Sequence, residues 1–180
     1  MTRDDDTMLV EACLRGDRHA FDELVDRYEG PLFSAAYRIT GSVEDAMDAT
    51  QNAFVNAYEK LHTFDPSYRF FSWIYRIAVN QSLNLVGRRR EQAPINEDEP
   101  AADQNPAEIF DSTEVRGQIK QALLELEPHY RTLIVLKHLE GFSYREIGDL
   151  FEIPEKTVKS RLFSARQRLR AILTERGLSP

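Results

Sequence analysis

An all-α chain, built as two small helical domains joined by an acidic flexible linker, is what the sequence predicts, and three observations carry that prediction. Apolar residues recur at intervals of three and four before residue 88 and again after 115, strand-like alternation is absent, and the tract between lacks any period. Residues 91 to 114 hold eight acidic side chains and no basic one, with Pro94, Pro100 and Pro106 among them. Such a tract has too little apolar surface to fold alone. The boundaries drawn on this basis are 1–90, 91–112 and 113–180.

Leu9, Val10, Cys13 and Leu14 form the first apolar face, on which the single cysteine serves as a small packing residue. Asp17 is placed to cap a helix carrying Ala20, Phe21, Leu24, Val25 and Tyr28. Gly30-Pro31 is expected to interrupt it, with a further run of Leu32, Phe33, Ala36, Tyr37 and Ile39 ending at Gly41. Ser42 and Asp45 resemble a capping box. The helix they open is expected to bury Val43, Ala46, Met47, Thr50, Ala53, Phe54, Ala57, Tyr58 and Leu61, and to expose Asp45, Asp48, Gln51, Asn52 and Glu59. A loop at Phe64 to Ser67 precedes a helix over Phe70 to Val86, with Trp73, Ile74, Ile77 and Ala78 on its apolar face. In the second domain Val115, Ile119, Ala122, Leu123 and Leu126 form one helix. Pro128 suits the first turn of the next, which Gly141 closes.

Net charge is −7, yet its distribution is segmented. Residues 1–65 carry −8, 66–90 carry +5, 91–114 carry −8, 115–153 carry −1 and 154–180 carry +5. Each basic stretch can neutralise phosphates locally, because charges more than about 8–10 Å apart are screened at physiological salt. No apolar run approaches the roughly 20 residues that span a bilayer. The acidic start, Met1 to Asp6, lacks the pattern of a secretory signal, so a cytoplasmic protein is expected. The four histidines are scattered, no His and Cys cluster has metal-ligand spacing and no glycine-rich phosphate loop occurs. No catalytic residue, metal, cofactor or small-molecule substrate is therefore assigned.

Ser143-Tyr144-Arg145-Glu146 reads as a capping box opening a short helix with Ile147, Leu150 and Phe151 inward. Pro154 follows within three residues and starts a second helix whose inward stripe is Val158, Leu162, Ala165, Leu169 and Ile172. Helices joined so tightly cross steeply, and Gly148 lets them approach: a helix-turn-helix pattern. Its outward face carries Lys156, Thr157, Lys159, Ser160, Phe163 and Ser164, flanked by Arg161 and Arg166, which suits entry into a major groove N-terminus first. An exposed phenylalanine among cations wants a cover, and a thymine methyl supplies one.

A second constellation runs from Phe70 to Asn80, preceded by Tyr68 and Arg69, where aromatic residues interleave with arginine and no acid occurs between Pro66 and Arg90. Aromatic faces stack on unpaired bases at about 1–3 kcal/mol each, and cations track the backbone. Tyr68, Arg76 and Asn80 point to single-stranded DNA; Trp73 suits a core position equally well.

These residues resemble the extracytoplasmic-function (ECF) sigma factors of bacteria over nearly the whole chain. Asp45 to Phe54 with Trp73 to Asn80 is similar to the family's sigma-2 domain; Gly141 to Ile147 with Ile153 to Leu162 is similar to sigma-4. The resemblance implies that the helix bearing Asp45, Asp48, Gln51, Asn52 and Phe54 docks on the coiled coil of the largest subunit of core RNA polymerase. It implies minus-10 contacts from Tyr68, Arg69, Phe71, Trp73, Arg76, Asn80 and Asn84. Minus-35 contacts would come from Arg145, Lys156, Thr157, Lys159, Ser160, Arg161, Phe163, Ser164 and Arg166. An anti-sigma factor is the implied regulator. Asn52 stands where the family usually has glutamate, and Ser164 where it often has a larger side chain. A helix-turn-helix regulator that never meets polymerase is the alternative.

Overall fold

The computed structural model describes residues 3–92 and 114–178, with side chains over 5–91 and 117–178. The expected linker lies outside the described residues except for Glu91 and Gln92, which are still helical. Four helices form the first half: α1 (Arg3–Leu14), α2 (Arg18–Thr40), α3 (Val43–Lys60) and α4 (Phe70–Gln92). Four more form the second: α5 (Glu114–Glu125), α6 (Pro128–Ile134), α7 (Tyr144–Phe151) and α8 (Glu155–Glu175). A 3₁₀ turn at Leu61–Thr63 follows α3, and a π-helical turn at Val135–Leu139 extends α6. Among the described residues there is no strand.

Local chemistry explains most of the boundaries. Asp17 accepts from the His19 N–H at 3.0 Å and opens α2. Gly41, at φ +75°, closes α2 and donates to the Tyr37 carbonyl, a left-handed position that favours glycine. Ser42 accepts from the Asp45 N–H at 3.2 Å, but the Asp45 carboxylate turns to Arg89 at 3.4 Å, so only one arm of the expected box forms. The expected break at Gly30-Pro31 does not occur: α2 runs through Pro31. Both residues are exposed, so water can reach the Arg27 carbonyl that proline leaves without an amide partner.

Ala46, Ala49, Ala53 and Ala57 are fully buried along one side of α3, and side chains this small let α2 and α4 pack close to it. Ala53 and Ala57 share a core with Leu24, Tyr28, Leu32 and Ile39 of α2 and Phe70, Ile74, Tyr75 and Val79 of α4, while Ala46 and Ala49 pack with Ala36 and Tyr37 of α2 in a smaller one. Two apolar residues expected inside are outside: Met47 is 54% exposed and Tyr58 49%. α3 carries more apolar residues than its buried face can hold: that face is taken by the four alanines with Thr50 and Phe54, and Met47 and Tyr58 are left outside. Cys13 is half-buried, and burial, with Asp17 adding to it, pushes its thiol up.

In the second half Leu126, Leu133, Leu136, Ile147, Leu150, Val158, Leu162 and Ala165 are buried. They belong to the same continuous cluster as the first core, so the halves pack on each other. Gly41 marks that seam, since a Cβ there would lie 2.6 Å from Leu124 Cδ2.

Candidate nucleic-acid interface

The helix-turn-helix is fixed at both ends of α7. Ser143 accepts from the Glu146 N–H at 3.1 Å while Glu146 accepts from the Ser143 N–H at 2.8 Å, a complete capping box. Desolvation raises the Glu146 carboxyl, but hydrogen bonds from the Ser143 N–H and hydroxyl and the charge of Arg69 outweigh it, holding the carboxyl below its ordinary value. Glu152 ends α7 in the left-handed region at φ +54°. Pro154 then caps α8.

On α8 the expected face is presented outward. Lys156, Lys159, Ser160, Arg161, Phe163 and Arg166 are exposed, Phe163 by 59%. Thr157 and Ser164 are half-buried, and the Ser164 hydroxyl donates back to the Ser160 carbonyl at 3.3 Å. Lys159 is not a loose cation. Glu155 pairs with it at 2.6 Å, and the hydrogen bond with that carboxylate is the main reason its ammonium pKa is raised. Tyr144, at the first turn of α7, lies beneath both Lys137 and Lys159, with ammonium to ring distances of 4.6 and 5.4 Å. Sequence spacing could not show this, because three separate elements supply the three side chains.

A phosphate that took Lys159 would have to displace Glu155, and would add a contact that follows counterion release. Lys159→Ala should therefore weaken duplex binding and lower the slope of log affinity against log salt by about 0.9, the value for one phosphate. A salt titration with duplex promoter DNA checks this; an unchanged slope would place Lys159 away from the backbone.

In the first half Tyr68, Arg69, Asn80 and Asn84 are exposed. Trp73 packs as a core residue yet keeps part of its ring toward a cleft. Its ring packs 5.5 Å from Phe64 and 5.6 Å from Phe70, while it also lines a cleft of about 940 Å³ between α4 and α7. Tyr68, Arg69 and Arg76 share that lining with Arg145 and Asp149, so Arg145 stands in the cleft rather than among the α8 cations. Phe71 is half-buried and stacks on Phe142, 5.2 Å away. Arg76 forms an ion pair with Glu152.

The polar face of α3 shows Asp48, Gln51 and Asn52 to solvent, with Asp45 half-buried beside Arg89. Phe54, expected among the docking residues, is 9% exposed and meets Phe21 edge-on at 6.4 Å, so it packs beneath this face. The apolar contacts the face does offer are Met47, Val55 and Tyr58. Their separations of eight and three residues hold one side of a helix, but the same residues fit a core stripe, which is why the sequence alone did not distinguish them.

Among the described residues no cluster of His, Cys, Asp and Glu could hold a metal ion, and no helix is long and apolar enough to cross a membrane.

Comparison with known proteins matches residues 24–92 to Sigma-70 region 2 and residues 116–169 to Sigma-70, region 4. The chain is 32% identical over 178 residues to the ECF RNA polymerase sigma factor SigW of Bacillus subtilis, spanning 92% of this chain and 95% of that one. In structure it is similar to CnrH in complex with the cytosolic domain of CnrY, with TM-score 0.72, 26% identity and coverage of 95% and 98%. It also shares the fold of the sigma factor RpoE of Bartonella quintana, solved with the anti-sigma factor NepR, at TM-score 0.70, 23% identity and coverage of 86% and 96%.

Proposed function

The chain belongs to the ECF RNA polymerase sigma factors, which bind core polymerase and direct promoter-specific initiation, and from that premise we propose how its surfaces divide the work. Residues 1–90 dock on polymerase and open the minus-10 element; residues 113–180 read the minus-35 element. The observation that carries this division is the separation of two basic, aromatic-bearing faces, one on α4 and one on α8, from an acidic and apolar face on α3.

Asp45, Asp48, Gln51 and Asn52 provide the polar contacts to the polymerase coiled coil. Met47, Val55 and Tyr58 supply the apolar area that makes such contacts tight, since exposed apolar groups ringed by polar ones are where binding energy concentrates. On the opened strand, Tyr68 and Trp73 stack on bases while Arg69 and Arg76 follow phosphates and Asn80 and Asn84 offer hydrogen bonds. Paying a few kcal/mol to unstack a base is feasible where aromatic and polar groups receive it. On duplex DNA, Lys156, Lys159, Arg161 and Arg166 hold phosphates or guanine, Thr157 and Ser160 donate hydrogen bonds and Phe163 meets a thymine methyl. Ser164, bonded to its own helix, contributes shape more than a donor, and Arg145 reaches the backbone from α7. The protein acts in the cytoplasm without catalytic residues of its own, and a protein of the anti-sigma type holds it inactive, as the family resemblance implies.

Adding the protein to sigma-free core polymerase with a genomic promoter library should yield transcripts with defined starts. No transcript from any promoter would overturn the reading.

A further inference from the structure

Between Pro154 and Arg170 the sequence carries six cations and a single acid, Glu155. It stands in the first turn of α8, the end that enters a major groove first. Lys159 and Phe163 follow at intervals of four, so all three lie along one outward line of the helix. The Glu155 side chain is 47% exposed, and its carboxylate lies 2.6 Å from the Lys159 ammonium. The ring of Tyr144 sits beneath that ammonium at 5.4 Å.

A solvated pair spaced by four residues stabilises a helix only slightly. On a surface that holds DNA by charge it works against binding, because it occupies a cation and adds a charge of the same sign as phosphate. Its place on the reading line suggests another use. When a phosphate draws Lys159 away, the carboxylate is left beside the base edges without its partner, and an ionised carboxylate can only accept hydrogen bonds. In the major groove guanine shows two acceptors, and thymine an acceptor and a methyl, so neither replaces the lysine. The donors there are the amino groups of cytosine and adenine. The adenine amine lies between two acceptors, its own N7 and the O4 of the paired thymine, and both repel a carboxylate. The cytosine amine has an acceptor on one side only, the O6 of its guanine.

We propose that Glu155 is a specificity-determining residue, accepting from the amino group of a cytosine at one base pair of the minus-35 element and disfavouring the other bases there. This role rests on the assignment of α8 to that element. Lys159 covers the carboxylate in the free chain and uncovers it on turning to a phosphate, so Glu155 meets a base edge unpaired only in the seated complex.

Holoenzyme containing the full chain, used to select from duplexes randomised across the minus-35 element, reads the preference at each position. The unmodified chain should favour cytosine at one position by roughly tenfold. Glu155→Ala should erase that preference, keep the others and bind the unselected duplex pool more tightly. Glu155→Gln, whose amide both donates and accepts, should move the preference to adenine, which neither a lost helix-end charge nor a folding defect would produce. A profile unchanged in both variants, or one weakened equally at every position, overturns the role of Glu155. Phe163→Ala separates this failure from that of the wider reading. If it alters one position while Glu155→Ala alters none, the role of Glu155 falls alone; if neither alters any position, the assignment of α8 to minus-35 falls with it.

Discussion

Replacing Gly148 by valine should cost the second half roughly 3 kcal/mol or more and abolish duplex binding. A Cβ at Gly148 would sit 2.8 Å from the Ile153 carbonyl oxygen and 3.7 Å from Val158 Cγ2. The first obstacle is backbone in the tight turn, which cannot swing aside as a side chain would. α7 and α8 must therefore part, and Ile147 and Leu162, both fully buried between them, lose their packing. Overpacking alone typically costs about 1–3 kcal/mol; the two further methyls of valine and the loosened core add to it. Urea unfolding of the full chain measures the loss, and Gly148→Ala should show a smaller one. A valine variant that unfolds at the wild-type midpoint would mean that the helices do not meet as described.

Arg131→Met should be nearly as damaging, at about 3 kcal/mol. The guanidinium is 6% exposed and has no carboxylate partner among the described residues; it donates to the carbonyls of Ile39, Leu124 and Leu126 at 2.6, 2.9 and 3.1 Å. Burial, reinforced by the charge of Arg90, lowers its pKa to about 10, so it stays charged at neutral pH. Methionine fills the space but leaves three acceptors behind, and unsatisfied buried acceptors cost about 1–3 kcal/mol each, offset in part by removing a desolvated charge. Arg131→Lys should recover less than half, because the three donors of an ammonium sit on one nitrogen, whereas the three carbonyls are reached from two guanidinium nitrogens held apart. Full recovery with lysine would show that charge, not fork geometry, is what the site needs.

Neither residue is equally visible in the sequence. Gly148 stands between a capping box and a short turn, beside an apolar stripe, all local patterns, and the helix-turn-helix is legible from them down to its outward face. Arg131 is one polar residue in a short helix, and its inward position rests on carbonyls that no local pattern announces: those of Leu124 and Leu126 at the end of α5, and that of Ile39, 92 residues earlier. The same difference separates the α3 face from its core. Alanine at Ala46, Ala49, Ala53 and Ala57 outcompetes Met47 and Tyr58 for the interior through close helix packing, a property of three helices together. The seating of one half on the other was illegible for the same reason: Glu140 meets residues 65 and 102 positions earlier in the chain, beyond the reach of any local period.

Pro31 gives α2 a mechanical character that its unbroken outline hides. Proline supplies no amide to the Arg27 carbonyl, so the helix lacks one rung on its wet side, where a bend opens no further bond. Before that rung, Phe21 and Leu24 are embedded in the first core, and Arg27 and Tyr28 grip Asp6 of α1. After it, Tyr37, Arg38 and Ile39 carry the load from Lys120, Glu140 and Arg131. α2 is thus one hydrogen bond short between the stretch that holds α1 and the stretch that holds the second half, while Leu24, Tyr28, Leu32 and Ile39 on its dry side root both stretches in the same core.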